Sequence, residues 1–104
     1  MIAELKIYED CSSKEPTKVY PLYQITTRVS KQMADFKDKY DNNFKPTADD
    51  YEEVMNDLDD LIRKVFPKIT DEELEDTSLE NKMEFVWAVV NHFNGIANKT
   101  LKNS

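Results

Sequence analysis

The sequence predicts a small α+β domain that is mostly helical, with an N-terminal β-hairpin followed by three main helices and a short connecting helical turn. Two observations predict this fold. Apolar residues alternate with polar ones up to residue 24, and beyond that point they recur at the three- and four-residue spacing of helices. Leu, Ile, Val and Phe together make up 25 of the 104 residues, which is enough for one core and too few for two. We therefore treat residues 1–104 as a single domain.

The hairpin is predicted over residues 1–24. Leu5 and Ile7 alternate with charged residues, and a second apolar run ending near Pro21 follows a polar stretch. Because proline has no N–H to donate, the second strand should end there or turn that side away from its partner. A two-stranded hairpin alone is marginal in water, so its apolar face should pack against the helices.

Two amphipathic helices are predicted next, over residues 25–41 and 47–66. The first carries many basic residues on its polar face, and the second is acidic at its N-terminal end. Thr47 is the predicted N-cap of the second helix, with Asp50 at the reciprocal capping position. Pro67 ends this helix, because a proline cannot continue the helical hydrogen bonds.

A short helix is predicted over residues 71–76, because Thr70 and Glu73 have the spacing of a capping box. The last helix is predicted over 78–97, with residues 98–104 as a frayed tail. The domain thus ends in a helix that carries most of the remaining apolar residues.

Acidic residues are concentrated in the middle of the chain. The net charge is 0 over residues 1–44, −9 over 45–80 and +2 over 81–104, and the whole chain carries −7. This sign opposes binding to a nucleic-acid backbone. The sequence therefore predicts no nucleic-acid partner.

The acidic run on the second helix allows two interpretations. Asp57, Asp59 and Asp60 are hard-cation ligands by type, but a calcium loop requires a tight turn with a central glycine, and none is present there. Asp59 with Arg63, and Asp60 with Lys64, instead have the spacing of helical ion pairs. We therefore favour a solvated helix face over a metal site.

No catalytic or cofactor-binding pattern is visible. The chain has one cysteine, Cys11, in a polar stretch, one histidine, His92, without a neighbouring carboxylate on its helix, and a single glycine. No apolar run reaches the roughly 20 residues that span a bilayer. We expect a non-enzymatic protein without cofactor, metal or membrane partner.

The last helix has an apolar sector of about 200° when projected at 100° per residue, about twice what a surface helix needs. Either this helix lies at the centre of the domain, covered by two helices and the hairpin, or it leaves an apolar strip for a partner. The residues that would form this partner-binding strip are Phe85, Trp87, Val89 and Ile96.

The order of these segments resembles a known family. An alternating opening, "ELKIYED", is followed by a basic helix, "RVSKQMADFKDKY", an acidic segment, "DYEEVMNDLDDLIRKVFPKITDEELED", and the apolar "FVWAVVNHFNG". This layout is similar to that of the tail assembly chaperones of long-tailed (siphovirus-type) phages and prophages, and the resemblance extends over most of the chain.

The resemblance implies a small, acidic, largely helical chaperone in the cytoplasm of the bacterial host. It would bind the tape measure protein, keep it soluble and help recruit major tail protein during tail assembly. Pairing between exposed hairpin edges would give a homo-oligomer. The alternative is an acidic DNA mimic or inhibitor-type protein that uses its carboxylates against a basic partner; its binding would weaken steeply with salt.

Overall fold

The structure is a computed structural model that describes residues 1–40 and 47–103, with side chains described as far as Phe93. A two-stranded hairpin is followed by four helices, which confirms the predicted α+β, mostly helical fold. The elements are β1 (Ala3–Ile7), β2 (Lys18–Leu22), α1 (Thr27–Lys39), α2 (Tyr51–Val65), α3 (Asp71–Asp76) and α4 (Leu79–Asn103).

The two strands pair in antiparallel register, from Ala3 opposite Leu22 to Ile7 opposite Lys18. The side chains of Leu5 and Ile7 are buried, as the alternation predicted, and they face the helices. The hairpin therefore contributes one of the walls of the core rather than a separate unit.

Helix α1 begins at Thr27 because the Thr26 hydroxyl caps it, accepting a hydrogen bond from the Val29 N–H at 3.2 Å. The predicted start at residue 25 is therefore two residues too early. The predicted end at residue 41 lies outside the described residues, and the helix ends at Lys39. Its predicted apolar stripe is buried, with Val29, Met33 and Phe36 in the core.

Helix α2 begins later than its capping residues predicted. Thr47 and Asp50 do interact, since the Thr47 hydroxyl donates to the Asp50 carboxylate at 2.9 Å. This pair closes a turn that precedes the helix, so the helix itself begins at Tyr51. It ends at Val65, immediately before Phe66 and the proline that follows.

The short helix α3 has its predicted bounds and its predicted capping box. Glu73 N–H donates to the Thr70 hydroxyl at 3.1 Å, and Thr70 N–H donates to the Glu73 carboxylate at 3.0 Å. The same carboxylate accepts a hydrogen bond from the Tyr20 hydroxyl at 2.7 Å and lies 3.1 Å from Lys18 Nζ. Glu73 therefore links β2 to α3 as well as capping a helix.

Helix α4 is longer than predicted and runs to Asn103. The helix was predicted to end at residue 97, with a frayed tail over 98–104. This prediction is wrong for residues 98–103, which are helical because Gly95 does not interrupt the helix. The helix contacts β1, α1 and α2, so it is the element around which the others are arranged.

One core contains side chains from every element. Its fully enclosed members lie on the strands, on the inward faces of the helices and in the segments that join them. They include Leu5, Met33, Val54, Leu58, Ile62, Leu74, Val86, Val89 and Val90. A single core agrees with the apolar content of the sequence.

A buried ion pair joins α4 to α2. Lys82 is 1% exposed, and its Nζ atom lies 2.8 Å from Asp59 Oδ1. The predicted pair of Asp59 with Arg63 is therefore wrong, because Asp59 turns toward the core, and Arg63 pairs with Asp60 at 3.7 Å and with Asp71 at 2.9 Å. A lysine at this depth needs a counter-charge, and Asp59 supplies it.

We expect Asp59→Leu to lower the free energy of unfolding by about 3 to 5 kcal/mol, because it leaves the Lys82 ammonium buried without a counter-charge. Urea titration measures this loss. The double variant Asp59→Leu/Lys82→Met buries no charge at this site and should regain most of the lost free energy of unfolding. Asp60→Leu, on the exposed side of the helix, is the matched control and should cost no more than about 1 kcal/mol. A double variant as unstable as the single one would contradict this account.

The Glu73 link predicts a loss of stability in acid. The hydrogen bond from Tyr20, with those from Thr70 and Lys18, lowers the pKa of the Glu73 carboxyl from 4.5 to about 2. The stabilisation is therefore complete above the unfolded-state pKa and is lost as the pH falls from about 4.5 toward 2. In urea titrations, Glu73→Gln should be less stable than the natural chain at neutral pH and should lose less stability on acidification. Glu72→Gln, with an exposed side chain next to it, should leave the acid dependence unchanged.

Candidate functional site

The apolar strip proposed on the last helix lies mostly inside the domain. Phe85 is 3% exposed and Val89 is fully buried. Both residues were predicted to bind a partner, and that prediction is wrong for a folded monomer. The alternative interpretation, a central core helix, is confirmed for this part of α4.

The hairpin covers part of the wide apolar sector of α4. The Phe85 ring lies 5.5 Å from the ring of Phe66, which in turn lies 5.2 Å from Tyr20 on β2. Helices α1 and α2 pack against other parts of α4, so its wide apolar sector is enclosed from more than one direction.

The two other predicted strip residues differ in outcome. Trp87 is half-buried and therefore keeps some exposed surface, with its ring meeting that of Phe36 edge-on at 5.7 Å. Ile96 lies outside the residues whose side chains are described. Among the three members of the predicted partner-binding set whose side chains are described, Trp87 is thus the one with a surface that a partner could reach.

A cleft of about 250 Å³ lies between α1 and α2. The buried side chains of Phe36 and Leu61 contribute apolar surface, and charged side chains of both signs surround it. The cleft is lined by Gln32, Asp35, Phe36, Lys39, Asp57, Asp60, Leu61 and Lys64. An apolar floor with a charged rim is the arrangement that binds one side chain or one face of an amphipathic helix.

Part of the cleft rim is a hydrogen-bonded cluster between the helices. Lys39 Nζ lies 2.6 Å from a Glu53 oxygen and 2.9 Å from an Asp57 oxygen, and the Tyr40 hydroxyl donates to the same Asp57 oxygen at 2.7 Å. The carboxylates of Glu53 and Asp57 raise the pKa of Lys39. Burial acts to raise the pKa of Asp57, but hydrogen bonds from Tyr40 and Lys39 hold it below its ordinary value. The cluster therefore stays charged at neutral pH.

The cleft also contains an unused hydrogen-bond acceptor. The side-chain oxygen of Gln32 is buried, and it accepts no hydrogen bond from the described part of the chain. A buried acceptor without a donor costs free energy, so this oxygen makes the packing between α1 and α2 less stable at this position. Sequence analysis missed this residue, because on α1 it is one polar side chain among many.

The acidic segment over residues 45–80 is partly neutralised by bases of the same chain. At least six of its carboxylates lie within ion-pair distance of a lysine or arginine: Glu53, Asp57, Asp59, Asp60, Asp71 and Glu73. A DNA mimic needs rows of carboxylates that are free to meet a basic partner. The ion pairs along α2 interrupt such a row.

The other residues considered for chemistry are isolated. Cys11 is exposed and not disulfide-bonded, and His92 is exposed on α4. Within residues 1–40 and 47–103, no group of three or more His, Cys, Asp or Glu side chains is arranged to hold a metal ion. Over the same residues, none of the helices combines the length and the hydropathy needed to cross a bilayer.

We expect Phe85→Asp to unfold the chain, because it places an unpaired carboxylate in the core. Circular dichroism and urea titration measure this. Ala88→Asp, on the exposed side of the same helix, is the matched control and should change the free energy of unfolding by about 0.5 kcal/mol or less. A Phe85→Asp variant that stays folded would show that this side chain lies at a surface after all.

Comparison of the chain with protein-family models, with curated proteins and with solved structures gives no match in any of the three. Function has to be inferred from the chain itself: the order of its elements, the cleft between α1 and α2, and the distribution of its charge.

Proposed function

We propose that this chain is a non-enzymatic tail assembly chaperone of a long-tailed phage or prophage. It acts in the cytoplasm of the bacterial host, where it binds the tape measure protein, keeps it soluble and helps recruit major tail protein. The observation that carries the proposal is the order of segments along the chain. A hairpin, a helix with basic residues, an acidic helix, a short capped helix and an apolar helix follow one another, and this order resembles the layout of that family.

The cleft between α1 and α2 is the surface we assign to the tape measure protein. The cleft is a concave surface that a client side chain can enter, and Phe36 and Leu61, which are themselves mostly buried, form its apolar base. An amphipathic client helix would place apolar side chains there, with its own charges against the mixed-charge rim.

The surface charge supports the chaperone role in a second way. A net charge of −7 on 104 residues keeps a complex with an apolar client dispersed, because like-charged particles repel. Exposed acidic residues at the start of α2 and along α3 carry part of this charge on the outer surface.

Co-expression with a tape measure protein tests the proposal. The natural chain should shift the tape measure protein from the insoluble to the soluble fraction, and the two proteins should elute together in gel filtration. Retention should fall only moderately from low to high salt, because the base of the cleft is apolar and its rim carries charges of both signs; a steep loss with salt would instead favour the acidic-mimic alternative. A tape measure protein that stays equally insoluble with the chain would overturn the proposed function.

A charge placed in the cleft tests where the client binds. We expect Gln32→Arg to abolish the gain in solubility, because it fills the cleft with a charged side chain. Gln24→Arg makes the same change at an exposed position outside the cleft and should behave as the natural chain. Thermal melting by circular dichroism checks that both variants fold. Equal activity of the two variants would show that the client binds at another surface.

A further inference from the structure

The outer edge of strand β1 carries backbone groups that β2 does not use. In an antiparallel pair, residues alternate between those that hydrogen-bond to the partner strand and those that point away from it. Glu4 lies opposite Pro21, which has no N–H, so this pair is of the second kind. Lys6 is two residues further along, so the N–H and C=O groups of Glu4 and Lys6 both point to the outer edge.

A groove runs beside this edge. Its volume is about 200 Å³, one side is formed by β1 and the other by α4. On the helix side, Asn81, Glu84 and Ala88 line it, and the mostly buried Phe85 lies at its base. In the described part of the chain the sheet has two strands, so no third strand occupies the groove. A free strand edge facing a helix is the geometry by which some domains add an extended peptide to their sheet.

An acidic hollow lies at the C-terminal end of β1, next to the groove. The hollow has a volume of about 460 Å³ and lies between the hairpin turn and the junction of α3 with α4; Asn81 lines both spaces. Four carboxylates line it, on Glu9, Asp10, Glu75 and Asp76, and no lysine or arginine does. Hence a ligand lying along β1 meets a concentration of negative charge at one end of its path.

The charges on the outer edge of β1 limit what can bind there. Lys6 and Glu4 form an ion pair at 3.6 Å on the strand itself, and α4 stands alongside. Charged residues and a flanking helix are devices that prevent two sheets from joining edge to edge. A single extended chain carries no helix of its own, whereas a second hairpin would bring its own helices against α4.

We infer that the outer edge of β1 binds an extended peptide segment that carries lysine or arginine residues at the end lying in the acidic hollow. The peptide adds a third strand through the backbone groups of Glu4 and Lys6, and its basic side chains meet the four carboxylates. This site shares no residue with the cleft between α1 and α2, so the inference is independent of the proposed chaperone function.

Two fluorescein-labelled peptides test the inference. Each contains alternating valine and threonine, and one ends in three lysines and the other in three glutamates. Fluorescence anisotropy should show saturable binding of the lysine peptide and much weaker binding of the glutamate peptide. The double variant Glu75→Lys/Asp76→Lys should abolish this preference, because the two new lysines offset the remaining carboxylates of Glu9 and Asp10. No binding of the lysine peptide, or equal binding of both peptides, would overturn the inference.

A proline placed on either edge of the sheet tests the backbone contact. Lys6→Pro removes an outward N–H without removing a bond between β1 and β2, and it should weaken the lysine peptide about fivefold or more. Val19→Pro is the matched control, since Val19 lies opposite Lys6 and its N–H points to the other edge. Equal loss in both variants, or none in Lys6→Pro, would overturn the assignment of the edge.

A measurement on the natural chain covers the case in which Lys6→Pro does not fold. In ¹H–¹⁵N spectra, the lysine peptide should shift the amide resonances of Glu4 and Lys6 and those of α4 residues along the groove. Shifts confined to the acidic hollow would overturn strand addition. Self-association of the chain through the same amides would overturn it too, because the edge would then belong to a second copy.

Discussion

The enclosure of helix α4 is the constraint on which the rest of the structure depends. Its apolar sector is too wide for a helix packed on one side, so it needs cover from more than one direction. Strand β1 supplies one wall, and helices α1 and α2 supply the others. The hairpin, marginal on its own, gains a surface to pack on, and α4 gains the cover that keeps Phe85 and Val89 out of water.

Much of the fold could be predicted, because local patterns decide it. Period-two alternation located the hairpin, three- and four-residue spacing located the helices, and the Thr70 and Glu73 capping box set the bounds of α3. Patterns of this kind reveal which positions are apolar but not which element covers them. That is why the prediction that Phe85 and Val89 form part of an exposed strip on α4 was wrong. Lys82 was unpredictable for a related reason, since its counter-charge, Asp59, lies on another helix.

The candidate binding surfaces are products of tertiary packing. The cleft brings Gln32 of α1 close to Leu61 of α2, and the groove brings the edge of β1 close to α4. Neither juxtaposition can be predicted from the sequence, because the residues on each side form part of an ordinary amphipathic helix or strand. Because α4 is buried, the candidate binding surfaces lie where two elements meet. Charged side chains line both of these surfaces.

Native-state hydrogen exchange tests most directly whether α4 and the hairpin form one cooperative unit around the core. If the hairpin encloses α4, the slowest amides of β1 and of the α4 segment around Val86 and Val89 should exchange with the same free energy, equal to that of global unfolding. Exchange of the β1 amides at a much lower free energy, with α4 still protected, would contradict the account. The hairpin would then separate from α4 without global unfolding, and this separation would expose the apolar face of α4 to a partner.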